Sequence, residues 1–136
     1  MLKSILSSPQ ISVLEQGLNA SSLRHKVISN NIANVNTPGF KKSEVVFEDL
    51  LQDQLGSNSI ALAKTKDGHM QGANKPGISP VINTIQSTAF RADGSNVDVD
   101  IEMANLAKNN IYYNALVQQL SKQFSNIKSA INEGRR

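Results

Sequence analysis

Apolar residues recur at alternating spacings of three and four along two long stretches of the chain. In the first, Ile11, Leu14, Leu18, Ser21, His25, Ile28, Ile32 and Val35 mark one face, soft only at Ser21 and His25. In the second, Met103, Leu106, Asn110, Tyr113, Val117, Leu120, Phe124, Ile127 and Ile131 keep the rule with Asn110 as the single polar member. Such spacing forms the seam of a coiled coil and predicts two long helices. Asp98 is placed to cap the second helix, and Asp100 and Glu102 follow in its first turn, where negative charge opposes the positive end of the helix dipole. Lys128, Arg135 and Arg136 suit the opposite end. The fold class is therefore mostly α, with long N- and C-terminal helices pairing as an antiparallel-type coiled coil around an irregular, partly extended middle segment. The boundaries are 1–39 for the first helix, 40–95 for the middle and 96–136 for the second helix. A buried amide at Asn110 would fix the register of the pair at some cost in stability.

The middle segment breaks the pattern. Glu44 to Leu55 reads as a short amphipathic helix carrying Val46, Phe47, Leu50 and Leu51. Beyond it Gly56, Gly68, Gly72, Pro76, Gly77, Pro80 and Gly94 punctuate a stretch rich in Ser, Asn and Lys with no sustained period, which is the composition of a linker. Ile78 to Phe90 alternates loosely enough for a strand or an extended arm.

The first helix ends in SNNIANVNTPGF, residues 29 to 40. Asparagine is a poor helix former, so Asn30, Asn31, Asn34 and Asn36 need a compensating role. Asn30 and Asn34 lie one turn apart, away from the apolar seam. Between Met103 and Ile127 the outer positions are likewise filled by Asn, Gln and Ser, with only Lys108 and Lys122 charged. A solvated helix face normally carries charge. Neutral amides donate and accept hydrogen bonds without the desolvation cost of a buried charge, which suits a surface covered by other subunits. Asn30, Asn31, Asn34, Asn36 and Asn110 are therefore candidate subunit-interface residues. Pro38 pushes Thr37 out of the helical region, and Pro38-Gly39 fit the two centre positions of a type II turn.

Composition narrows the function. Only 39% of the 136 residues are hydrophobic and 4% aromatic, with no Trp, which is thin material for an enzyme core. Cysteine is absent, so no disulfide framework exists. Met1 to Leu6 gives way at once to Ser7, Ser8 and Pro9, too short for the apolar region of a signal peptide, and no run approaches the length of a membrane span. The two histidines, His25 and His69, have no metal-site spacing, the acids from Asp93 to Glu102 lack the pattern of an EF-hand, and Gly68 and Gly72 lack the Lys-Ser/Thr of a phosphate loop. Neither catalysis nor a cofactor is expected. A basic nucleic-acid-binding helical protein would account for the pI of 9.3, but it should gather Lys and Arg on one face, and here they are scattered. A coiled-coil adaptor or export chaperone would use the heptads without needing Thr-Pro-Gly or the amide face.

Asn30-Asn31-Ile32-Ala33-Asn34 followed by Thr37-Pro38-Gly39-Phe40-Lys41 resembles the N-terminal signature of flagellar axial rod and hook proteins. Leu62 to Met70 (LAKTKDGHM) and Val97 to Ala104 (VDVDIEMA) are similar to further segments of the rod members. Val35-Asn36 stands where Ala-Asp is frequent, and Val99 where Leu is usual. The resemblance implies a structural subunit of the proximal rod, the drive shaft that transmits motor torque, with another proximal rod protein of the C type as the alternative. It implies that the partners are other rod proteins, copies of the same chain, a rod-to-ring adaptor at the inner-membrane ring and, during secretion, the flagellar export gate. It further implies export from the cytoplasm without a cleaved signal peptide into the basal body. Phe47 to Leu51 (FEDLL) fits the family's Phe-x-x-x-apolar export segment, with Phe47 and Leu51 as the gate candidates.

Overall fold

A computed structural model describes residues 8–56, 79–87 and 94–133. Its elements run α1 (Pro9–Ala33), β1 (Ser43–Val46), α2 (Glu48–Gly56), β2 (Val81–Thr84) and α3 (Val99–Glu133). The segment Leu62 to Met70, His69 and the two ends of the chain lie outside the described residues.

α1 starts where Ser8 caps it, its hydroxyl accepting the Ile11 amide at 3.5 Å, and Pro9 fills the first position, where a missing N–H costs nothing. It ends at Asn34. The Asn34 backbone N–H donates to Asn30 O at 3.1 Å, its side-chain amide donates to the same carbonyl at 2.8 Å, and its Oδ1 accepts from the Thr37 hydroxyl at 3.4 Å. The turn follows as expected: Phe40 N–H donates to Thr37 O at 3.2 Å across Pro38 and Gly39, and Gly39 has φ +72°, the left-handed conformation that the third position of a type II turn requires. Asp98 caps α3, accepting from the amides of Asp100 at 3.0 Å and Ile101 at 3.4 Å.

α1 and α3 pack antiparallel. Their order of contact runs from Gln10 against Gln123, through Gly17 against Leu116 and Ser21 against Asn109, to Asn31 against Glu102. The seam itself is turned from the expected one. In α1 the buried positions are Ile11, Gly17, Ala20, Ser21, Val27, Ile28 and Asn31, whereas Leu14, Leu18, Ile32 and Val35 sit half-buried and His25 is exposed. In α3 the inward residues are Glu102, Leu106, Asn109, Leu116, Leu120, Gln123 and Ile127. Met103, Asn110, Tyr113, Val117, Phe124 and Ile131, six of the nine predicted seam positions, face outward. Close approach explains the turn. A Cβ on Gly17 would lie 3.2 Å from Leu116 Cδ1, and the neighbouring contacts are Ala20 and Ser21, so the helices meet where side chains are smallest. Larger apolar residues are displaced to the flanks.

The expected helix at Glu44 to Leu55 begins later. Ser43–Val46 is a strand, paired antiparallel with Val81–Thr84 so that Val45 lies opposite Ile82, and the helix starts at Glu48. Two β-branched residues, Val45 and Val46, favour the pleated surface, while Glu48 and Asp49 suit a helix start. The strand allowed within Ile78 to Phe90 is β2.

Candidate assembly surfaces

The signature amides divide into two groups. Asn31 is 1% exposed, and its amide is spent within the chain. Its Oδ1 accepts the Ser43 N–H at 3.0 Å, and its Nδ2 donates to Ser43 O at 2.9 Å and to Glu102 Oε2 at 3.0 Å. One side chain thus does for the outer edge of β1 what a neighbouring strand would do, and it ties α3 to the same point. Arg24, two turns earlier, covers the same edge by donating from Nη2 to Val45 O at 3.3 Å while its fork grips Glu48, Nη1 to Oε1 at 2.9 Å. This pairing holds the Glu48 carboxyl below its ordinary range. The expectation that Asn31 faces a neighbouring subunit is corrected accordingly, and Asn34 is engaged as the helix cap. Asn30 and Asn36 are exposed.

In α3 the buried register amide is Asn109, one residue before the one expected. Asn109 is 4% exposed; its Oδ1 accepts the Ser21 hydroxyl at 2.9 Å and its Nδ2 donates to Ser21 O at 3.0 Å. Asn110 is on the surface. The signal for Asn109 was present in the sequence, since Glu102, Asn109, Leu116 and Gln123 also repeat every seven residues. A count of apolar positions passes over that row because three of its four members are polar.

A second buried corner joins the turn to the start of α3. Lys42 N–H donates to Asn96 Oδ1 at 2.7 Å, Asn96 Nδ2 donates to Ile85 O at 2.8 Å, and Lys41 Nζ reaches Gly94 O at 2.9 Å. Ser95, Asn96 and Val97 are all buried here, although nothing in their sequence distinguishes them from a loop. Phe47, 1% exposed, closes the core between β1 and α2, and Leu51 N–H donates to its carbonyl at 2.9 Å. No group of His, Cys, Asp or Glu among the described residues could hold a metal ion, and none of their helices is long and apolar enough to cross a membrane.

The exposed surface has its own pattern. Along α3, Ile101, Met103, Ile111, Tyr113, Val117, Phe124 and Ile131 are between 40% and 73% exposed, far more apolar area on one helix than a solitary subunit needs. α1, β1 and α3 enclose an open groove of about 1090 Å³, which Ile111 also lines.

The family model described as flagella basal body rod protein matches residues 11–41, the span of α1 and the turn. The flagellar basal body rod protein FlgB of Bacillus subtilis (strain 168) is 35% identical over 130 residues, covering 96% of this chain and 98% of that protein. The chain belongs to the FlgB family. FlgB of Borrelia hermsii is 32% identical with 84% and 89% covered, and FlgB of Aeromonas hydrophila 29% identical with 86% and 88% covered. As a FlgB-family chain it is a structural subunit of the flagellar basal body rod, and its associations are with other rod components. The Asn-rich end of α1 lies within the matched span, so the part of the family pattern read from the sequence is the part that builds the β1 corner.

Proposed function

We propose that this chain occupies the proximal part of the rod, where copies of it and other rod proteins form the shaft that carries motor torque, next to the adaptor that joins rod to inner-membrane ring. The likeness to FlgB along almost the whole chain carries this reading. The exposed apolar row of α3 supports it, because a helix of this kind is soluble in company rather than alone. Asn30, Asn36 and Asn110 are all on the surface, where neighbouring subunits can reach them.

The chain reaches the periplasm through the flagellar export apparatus without cleavage, and Phe47 to Leu51 is the segment the export gate reads. Burial of Phe47 in the folded chain requires that this reading happen before folding. No enzymatic step belongs to this role. The test is complementation of a strain lacking its own FlgB-type subunit. Restored swimming, with this chain recovered in isolated basal bodies beside the ring adaptor, is expected. An exported chain that never enters the basal body sinks the reading.

A further inference from the structure

The C-terminal part of the exposed row on α3 (Val117, Phe124 and Ile131) and the groove lie on different sides of the same helix. With about 3.6 residues per turn, Val117, Phe124, Lys128 and Ile131 fall on one flank of the buried stripe, and Asn105, Lys108, Tyr112 and Ala115 fall on the other, where they line the groove with Val27, Ile28 and Val45. Three alanines on that wall, Ala104, Ala107 and Ala115, leave room for a helix to come close. An open trough of this kind, with few polar groups converging on one point, suits a helix face better than a small molecule.

At the end of the groove sits Glu102, 2% exposed. Its Oε2 accepts from the neutral Asn31 amide, and among the described residues its carboxylate takes no other hydrogen bond and no Lys or Arg pairs with it. A carboxylate has room for about four donors, and a buried one calls for a cation more strongly than an exposed one does. On the opposite flank Lys128 projects from the apolar row, and it too has no ion-pair partner among the described residues.

We infer that the apolar row of one copy (Val117, Phe124 and Ile131) docks in the groove of a second copy and brings Lys128 to Glu102. This rests on the rod reading and names its contact. The two surfaces are different and face away from each other, so the contact is heterologous, and repetition of it builds an open filament rather than a closed dimer.

The chain has no cysteine, so introduced thiols report without ambiguity. N105C in the groove wall and S125C, one turn before Lys128 on the row side, are placed in separate copies of the full chain, co-expressed in a strain lacking its own subunit, and treated with a short bis-maleimide in isolated basal bodies. A mixed N105C–S125C adduct is expected, with no N105C–N105C product. K128Q, an exposed change that leaves the fold intact by circular dichroism, should reduce that adduct by about tenfold or more, as loss of one member of a desolvated charge pair does. E102Q, which retains an acceptor for Asn31, should do the same. Basal bodies that assemble and hold both variants but yield no mixed adduct overturn the inference while leaving the rod reading in place. A dominant N105C–N105C product overturns it in favour of a closed pair. Protection of N105C within a single unassembled copy overturns it in favour of another segment of the same chain filling the groove. Absence of the chain from basal bodies is the failure of the rod reading itself.

Discussion

The corner around Asn31 and the outer length of α3 reverse the usual arrangement of polar and apolar groups. At the corner Asn31, Ser95, Asn96 and Glu102 are buried, while on outer α3 Ile111 is 73% exposed and Ile131 56%. A protein that lived alone would place these the other way round. Asn31 and Asn96 aim their amides at backbone groups of the same chain, so the geometry there is specified by directed bonds within a single chain. The outer helix instead leaves apolar side chains open to solvent within the single chain. In the role proposed above, internal shape and external adhesion are thus assigned to different chemistries.

Removing the buried aromatic ring at Phe47 should have the largest effect. Phe47→Ala is expected to destabilise the folded chain by about 3–5 kcal/mol, the range for emptying a buried aromatic site, as read by urea denaturation. An equal truncation on outer α3, Phe124→Ala, should change the isolated chain far less and show its cost only in assembly. Equal losses at the two sites would erase the distinction between them. Next comes Asn31→Ala, which strands the Ser43 N–H and carbonyl; each stranded group costs about 1–3 kcal/mol. Hydrogen exchange of the Ser43 amide should accelerate in this variant, and an unchanged rate would mean that the amide is not protected by Asn31.

Adjacent asparagines offer a finer test. Asn109→Ala should cost roughly 1–3 kcal/mol by stranding the Ser21 groups, whereas Asn110→Ala should stay within about 0.5 kcal/mol. The reverse order in thermal melts would restore the seam expected from the apolar spacing. The smallest effect belongs to Glu48. Arg24 lowers its folded pKa, so the pair's contribution is fully present above the ordinary glutamate value of 4.5 and is lost as pH falls through the lowered folded value. With the Glu48 side chain 52% exposed, that contribution is about 0–1 kcal/mol. Glu48→Gln should flatten the acid limb of the stability curve by no more than this amount.

The two helices, their antiparallel pairing, the Asp98 cap and the Pro38-Gly39 turn were all legible in the sequence, because each rests on a local rule of spacing or backbone conformation. The facing of the helices was not. Periodicity finds the apolar row, but the line of closest approach follows small residues such as Gly17, Ala20 and Ser21, whose contribution is the absence of bulk. Asn109 and Asn110 differ by a single helical step of about 100°, and only the partner helix decides which one is enclosed. The strand at Ser43–Val46 was hidden for a related reason: its partner, Val81–Thr84, lies well along the chain and itself shows only loose alternation. Among the interface candidates, Asn31 and Asn34 were rightly singled out as unusual, but the cause of their unusual chemistry lies inside the subunit.

The rungs between α1 and α3 have a mechanical consequence. Apolar contacts resist separation, but they are non-directional and give way readily to sliding along the axis. Hydrogen bonds lose most of their strength when a donor moves out of line. Gln10 with Gln123, Ser21 with Asn109 and Asn31 with Glu102 are spaced along the length of the pair like keys in a shaft coupling. A slip of one turn in either direction breaks all three at once. In the torque-carrying role proposed above, shear along the helices would fall on these three keyed positions.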